Sequence, residues 1–257
     1  MTTDTLPALL RAEWTKIRTL RATSWALALV PVLATAVAAA GNLSVRVALD
    51  RGSDRVRPDF DPVGAGFTGL QIGQFALIAF GVLVIGGEYG SGLIRTSLTA
   101  VPCRDRFFAG KALTVAALAL PAGALGAALS FGTGQLALGT HGVGATTGDA
   151  PRALLGAPLY CVLLCLFALG TATVLRSTAL SLTVLFAQVF VVTPVLARLP
   201  GIREVARYLP DHAGSQIFRT GGDADPGLGP WTGLAVLAVW TALALAAGRY
   251  ALRRRDV

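Results

Sequence analysis

The chain has 257 residues, 54% of them hydrophobic and only 14% charged, with a formal net charge of +8 and a mean hydropathy of +0.64. An average soluble domain carries about 25% charged residues, so this composition argues against a soluble protein and predicts an all-α integral membrane protein. It also argues against nucleic-acid binding, because no basic, aromatic-interleaved soluble module accompanies the positive charge.

Residues 1–24 place Leu6, Leu9, Leu10, Trp14, Ile17 and Leu20 on one stripe, with Arg11, Lys16, Arg18 and Arg21 mostly opposite. That pattern predicts an amphipathic helix in the membrane interface. The competing reading is a signal peptide ending near Ala38-Ala39-Ala40, but the charged region is long and amphipathic and the apolar run exceeds a signal core. Six apolar segments follow, near residues 25–41, 66–87, 112–138, 153–175, 179–197 and 231–248. Each is long enough to cross a hydrocarbon core about 30 Å thick. They make residues 25–257 one six-span transmembrane domain.

The first connection, residues 42–64, is charged and punctuated by Pro58 and Pro62. The second span contains Gly69-Leu70-Gln71-Ile72-Gly73, a spacing that lets two helix backbones approach closely. Gln71 and Gln74, one turn apart, form the most polar patch on any span. They serve either as hydrogen-bond glue between helices or as a substrate contact.

Residues 88–111 are a polar island between the second and third spans, containing Glu88, Arg95, Arg104, Asp105, Arg106 and Lys111. A connection that long tends to carry function. Within it Leu93, Ile94, Leu98 and Val101 recur at helical spacing, opened by Gly92 and stopped before Pro102. They predict a short amphipathic helix at a membrane face, placing Glu88 and Arg95 at its charged rim.

Pro121 and Pro194 predict kinks in the third and fifth spans. Cys161 and Cys165 share one face of the fourth span and Cys103 sits in the polar island, so all three read as free thiols. Residues 198–230 show a helical pattern in Ile202, Val205 and Leu209 before Pro210, and are expected to rest on or dip into the outer leaflet. Trp231 suits an interfacial anchor for the last span.

With both termini inside, the N-terminal segment, the 88–111 connection, the Arg176 turn and the Arg249, Arg253, Arg254, Arg255 tail hold the larger share of Lys and Arg. That is the expected bias for cytoplasmic segments, and it turns the basic excess toward anionic lipid or a partner.

The motifs GxxxxGK[ST], HExxH, CxxC and GxSxG do not occur. His141 and His212, the two histidines, have no metal-ligand spacing. Neither enzyme activity nor a bound cofactor is expected. All fourteen Asp and Glu fall in predicted connections or at span ends, whereas a proton- or ion-coupled carrier usually keeps a charge at mid-membrane.

Six spans with both ends inside, Glu13-Trp14-Thr15-Lys16-Ile17-Arg18 before the first span, and the set Glu88, Tyr89, Gly92, Ile94, Arg95, Pro102, Arg104 and Lys111 resemble the permease subunit of ABC-2 type transporters, as does Tyr208-Leu209-Pro210. Leu93 departs from the pattern, since related permeases often carry Thr after the Gly, which puts the local helix cap in question. The resemblance implies a dimer of permease copies in a bacterial cytoplasmic membrane, exporting a lipid-like compound, drug, peptide or polysaccharide between them. ATP and Mg would be bound by a separate cytoplasmic P-loop ATPase. The ATPase would dock through Glu88, Gly92, Leu93, Ile94, Arg95, Leu98 and Arg104, beside the interfacial helix with Trp14, Lys16, Ile17 and Arg18. The abundance of Arg, Ala and Gly resembles bacterial proteins of GC-rich genomes. Two other readings compete: a non-transporting scaffold or sensor that anchors a partner through the same connection, and a self-contained carrier.

Overall fold

The structure, a computed structural model, describes residues 6–52, 60–101, 103–199, 201–221 and 224–254, with backbone only for 6–10 and 100. The predicted stop at Pro102, the charges at 54–59 and the side chains of Leu6, Leu9 and Leu10 lie outside the described residues.

All regular structure among the described residues is helical. The helices are α1 Leu6–Thr19, α2 Arg21–Asp50, α3 Pro62–Gly66, α4 Thr68–Ser91, α5 Leu93–Ala100, α6 Arg104–Leu138 and α7 Ala150–Leu175. They continue with α8 Thr178–Ala187, a π-helical turn Gln188–Val192, α9 Thr193–Leu196, α10 Arg203–Ala206, α11 Pro210–Ser215 and α12 Pro230–Arg254. Six of these units are long and apolar enough to cross a membrane: α2, α4, α6, α7, the composite Thr178–Arg198, and α12. They correspond in order to the six predicted segments.

α4 and α7 form the centre. They are the most buried of the six, and their apolar residues run all round the helix, as a helix surrounded by others requires. α2 packs on α4 and α6, while α12 packs mainly on α7. The α2–α4 contact depends on Gly69, where a Cβ would stand 1.9 Å from the Ala34 carbonyl oxygen, and on Gly73, where it would meet Val30 O at 3.1 Å. Opposite them Val30, Ala34 and Ala38 are fully buried. The small-residue spacing therefore works within the chain, letting the α2 backbone reach α4.

The helices outrun the hydrophobic segments. α2 continues to Asp50, so part of the connection predicted at residues 42–64 is helical. Asn42 is buried there, donating to Ala38 O at 2.8 Å and to Ala65 O at 3.0 Å. Internal prolines are tolerated in three long helices, at Pro31, Pro121 and Pro158. At Pro194 the adjustment is visible: the π turn immediately precedes it, in a stretch where proline both removes a donor and crowds the carbonyl of the preceding turn.

Residues 210–220, expected to rest on or dip into the outer leaflet, pack against the helices of the bundle. Ala213, Ile217 and Phe218 are buried, Gly214 lies against Tyr160 and Leu237, and Gly156 against Ile217. The segment is inserted between α7 and α12. It is tied to the first connection by a hydrogen bond from Thr220 Oγ1 to Asp61 Oδ2.

Candidate functional site

Two polar sites are built into the apolar bundle, one near each end. The first lies where α1 and α5 meet the last turns of α4 and the first turns of α6. Glu13 and Lys111 are each 1% exposed and Glu88 is 4% exposed. Lys111 Nζ donates to Glu13 Oε2 at 2.7 Å and to Glu88 Oε1 at 2.9 Å. Lys16 Nζ donates to Glu13 Oε1 and Glu88 Oε1, both at 3.0 Å, and to Ser97 Oγ at 3.1 Å. Two carboxylates and two ammonium groups thus cancel formally, binding α1, α4, α5 and α6 into one knot. Lys111 also lies 5.2 Å from the Phe107 ring centroid, and Glu88 Oε2 is buried without a hydrogen-bond partner.

Burial alone would raise the Glu13 carboxyl pKa, but attraction to and hydrogen bonding with Lys111, together with Lys16, hold it below the ordinary value. Burial would likewise lower Lys16, yet its hydrogen bonds to Glu88 and Glu13 raise it. Both shifts favour the charged forms at neutral pH.

This geometry corrects the position of Glu88. Predicted as a rim charge on a connection outside the bilayer, it lies in the last turns of α4 with its carboxylate inside the bundle. Helix α4 can extend that far because Lys16 and Lys111 neutralise the carboxylate. The remaining connection holds α5, which Gly92 opens at φ 73°. Ile94 is 2% exposed and Leu98 half-buried, both packed on the bundle. Leu93 is 50% exposed, and Arg95, Thr96 and Thr99 share its accessibility. The predicted apolar stripe is therefore split: one part fastens α5 to its own chain, and the other is left at the surface.

Trp14 and Arg18 are exposed while Ile17 is buried. The break between α1 and α2 is held by Thr23 Oγ1 donating to Ile17 O and Leu20 O, each at 2.8 Å. Arg104 donates to Leu252 O at 2.7 Å and Arg253 O at 3.0 Å, binding the carbonyl end of α12. Asp105 accepts from Arg249 at 2.8 and 3.0 Å and also pairs with Arg253. Arg176, in the left-handed turn after α7 (φ 54°), donates to Ala251 O at 3.2 Å. These contacts hold α6, α7 and α12 together below the knot, a role the sequence pattern did not distinguish from partner binding.

The second site is a cavity of about 400 Å³ near the opposite end. Gln71, Gln74 and Phe75 of α4 form one wall, Phe190 and Thr193 of the fifth crossing unit another, and Asp211 with Arg219 closes it. The two glutamines do share this wall, but they differ. Gln74 is buried, accepts from Tyr160 Oη and donates to Gln71 O at 2.7 Å, so it glues α4 to α7. Gln71 makes no side-chain hydrogen bond among the described residues and faces the cavity.

Asp211, missed as a site residue because it sits in an expected surface segment, is buried. It accepts from Thr193 Oγ1 at 2.8 Å and Gln188 Nε2 at 3.4 Å. Burial pushes its carboxyl above the ordinary range against these hydrogen bonds, and burial together with nearby Arg219 lowers His212.

No family model matches the chain, and no curated protein matches it. The functional reading accordingly stands on these two sites.

Proposed function

We propose that this chain is the membrane-spanning subunit of an ATP-driven ABC-2 type exporter, one of two permease copies served by separate P-loop ATPases that bind ATP and Mg. The observation that carries the reading is the knot under α5. A chain without its own nucleotide site needs a stiff element to receive force. Helix α5 is fastened to the bundle by Ile94, Leu98 and the Lys16–Ser97 contact, while Leu93 and Arg95 remain exposed. A push on that surface reaches α1, α4 and α6 together through Glu13, Glu88 and Lys111. In this reading the end carrying both termini faces the bacterial cytoplasm, and its exposed arginines meet anionic lipid.

The surface residues, rather than the stripe as a whole, are the docking candidates. Burying the exposed half of Leu93 against a partner would contribute about 0.8 to 1.5 kcal/mol, and Arg95 would set register with less energy. The test is co-purification with a P-loop ATPase co-expressed from the same genome, followed by ATP hydrolysis in lipid. Leu93→Asp is expected to abolish recruitment and coupled hydrolysis while thermal unfolding of the chain is unchanged, and Arg95→Ala to weaken both less. Wild-type recruitment and transport in Leu93→Asp would overturn α5 as the transmission element. Recruitment of a non-ATPase partner through the same residues would favour a membrane scaffold or sensor.

A further inference from the structure

The cavity beside Asp211 is asymmetric in what it satisfies. Its one carboxylate, on Asp211, has one oxygen, Oδ1, already accepting from both Thr193 and Gln188. Its cations are not so met. Arg219 Nε is buried without a hydrogen-bond partner, and Arg198 stands exposed at the mouth. Neither guanidinium has a carboxylate within ion-pair distance among the described residues. A buried guanidinium N–H without an acceptor is costly until an anion or acceptor meets it. The remaining titratable group on the cavity, His212, is kept neutral by burial and by Arg219. Counting Arg198, Arg219 and an ionised Asp211, the walls carry net positive charge.

The opposite wall is of different chemistry. Phe75 and Phe190 stack with centroids 4.1 Å apart and planes within 3°, and Phe190 is exposed on the outer face of the fifth crossing unit, beside Pro194. The cavity therefore runs from a cationic, hydrogen-bonding end to an aromatic edge that opens on the exposed face of the fifth crossing unit. Its volume lies at the lower end of the roughly 300 to 1,000 Å³ typical of small-molecule sites.

We infer that this cavity binds an amphiphile with a single anionic headgroup, a phosphate, sulfate or carboxylate, held by Arg219 and Arg198 with Gln71 donating beside them, while its tail leaves over Phe75 and Phe190. An amine is disfavoured because it would meet one carboxylate, whose Oδ1 already accepts from Thr193 and Gln188, against the two guanidiniums of Arg198 and Arg219. That this ligand is cargo rests on the exporter reading; that it binds does not.

The test uses the full chain in phosphatidylcholine nanodiscs, without ATPase or nucleotide, and radiolabelled dodecyl phosphate as the probe. Saturable binding is expected, with dodecanol, dodecylamine and inorganic phosphate each at least about tenfold weaker as competitors, the ratio one charge-assisted contact supplies. Arg219→Gln is expected to weaken binding about tenfold or more, with Arg219→Lys intermediate. Should Arg219→Gln fail to fold, Arg198→Gln and Phe190→Ala decide, since both alter exposed side chains; each is expected to weaken binding about threefold or more. Equal binding of dodecanol would overturn the inference as simple partitioning. Tighter binding of dodecylamine would place the ligand on Asp211 instead, and equal binding of inorganic phosphate would remove the tail from the site. Unchanged affinity in the arginine variants would likewise overturn it. Because no ATPase is present, failure here leaves the Leu93→Asp recruitment experiment standing, and failure there leaves this binding standing.

Discussion

Lys111→Met is the sharpest test of the knot between α1, α4, α5 and α6. Glu13 Oε2 has Lys111 as its ion-pair partner at 2.7 Å, and Glu88 Oε1 shares Lys111 with Lys16. Removing the ammonium leaves two carboxylates, each with a side chain at most 5% exposed, facing one Lys16 whose side chain is 37% exposed. Breaking a buried pair from one side costs about 3 to 5 kcal/mol, because the abandoned charge keeps its desolvation penalty. At about 2 to 4 °C per kcal/mol for a chain of this size, the unfolding midpoint in nanodiscs should fall by roughly 6 to 20 °C.

The companion variant Glu13→Gln/Lys111→Met restores neutrality, leaving Glu88 with Lys16. If charge balance is what the knot supplies, the double variant should recover much of the loss, with a coupling energy of about 1 to 3 kcal/mol. Hydrogen exchange should locate the change, with α1 amides exchanging faster in Lys111→Met and returning toward wild type in the double variant. Simple additivity of the two single changes would refute the reasoning, as would a Lys111→Met midpoint within about 2 °C of wild type.

Four further outcomes are expected. Since Glu13 titrates below its ordinary value of 4.5, its stabilisation of the α1 dock is complete above that value and is lost as pH falls through the lowered one; Glu13→Gln should flatten this acid limb in α1 hydrogen exchange. Asp211 titrates above its ordinary 3.8, so its ionised form opposes folding and stability rises as pH falls toward that value. Asp211→Asn should then equal or exceed wild-type stability at neutral pH, and a loss beyond about 1 kcal/mol would contradict it. Gly69→Val, forcing atoms into the Ala34 carbonyl, should lower stability by at least about 1 to 3 kcal/mol, read as a lower unfolding midpoint. Cys103 is exposed while Cys161 and Cys165 are buried, so an impermeant maleimide should label one thiol per native chain, and in cells only after opening if the terminal face is cytoplasmic.

Hydrophobic run length located the six long helices because a bilayer-scale apolar stretch has few other uses, but it could not place their ends. Asp50, Glu88 and Arg104 all lie in helices, since a helix continues past the apolar stretch wherever charges find partners. The Gly69 and Gly73 spacing was readable as close approach, though not which helix approached. Glu13 held the clearest overlooked signal. It follows Leu9 and Leu10 and precedes Ile17 and Leu20 on one stripe, and a carboxylate in an apolar stripe requires a buried cation. Only the fold could supply which one, since Lys111 lies 98 residues away. Asp211 was hidden for a different reason: insertion of residues 210–220 depends on room left by Gly156, Gly214 and Gly233 on three separate elements, which no local pattern reports.

The two polar sites lie at opposite ends of α4, and that helix is the shortest physical connection between them. Glu88 anchors its last turns to α1 and α6, while Gln71 and Gln74 stand in its first turns against the cavity and Tyr160. α4 is also the most buried of the six long helices, with α2 seated on its glycines and α7 behind it. A close-packed helix responds to force by shifting as a unit rather than by bending. In the exporter reading, a displacement imposed at α5 would thus arrive at Gln71 as a movement against the fifth crossing unit, whose π turn at Gln188–Val192 sits directly opposite. A π turn breaks the regular hydrogen-bond register of a helix and is frequent at functional sites. Its donor Gln188 and its neighbour Thr193 are both held by Asp211, so any change of register there must break or exchange bonds to that carboxylate, and the cavity wall cannot move without it.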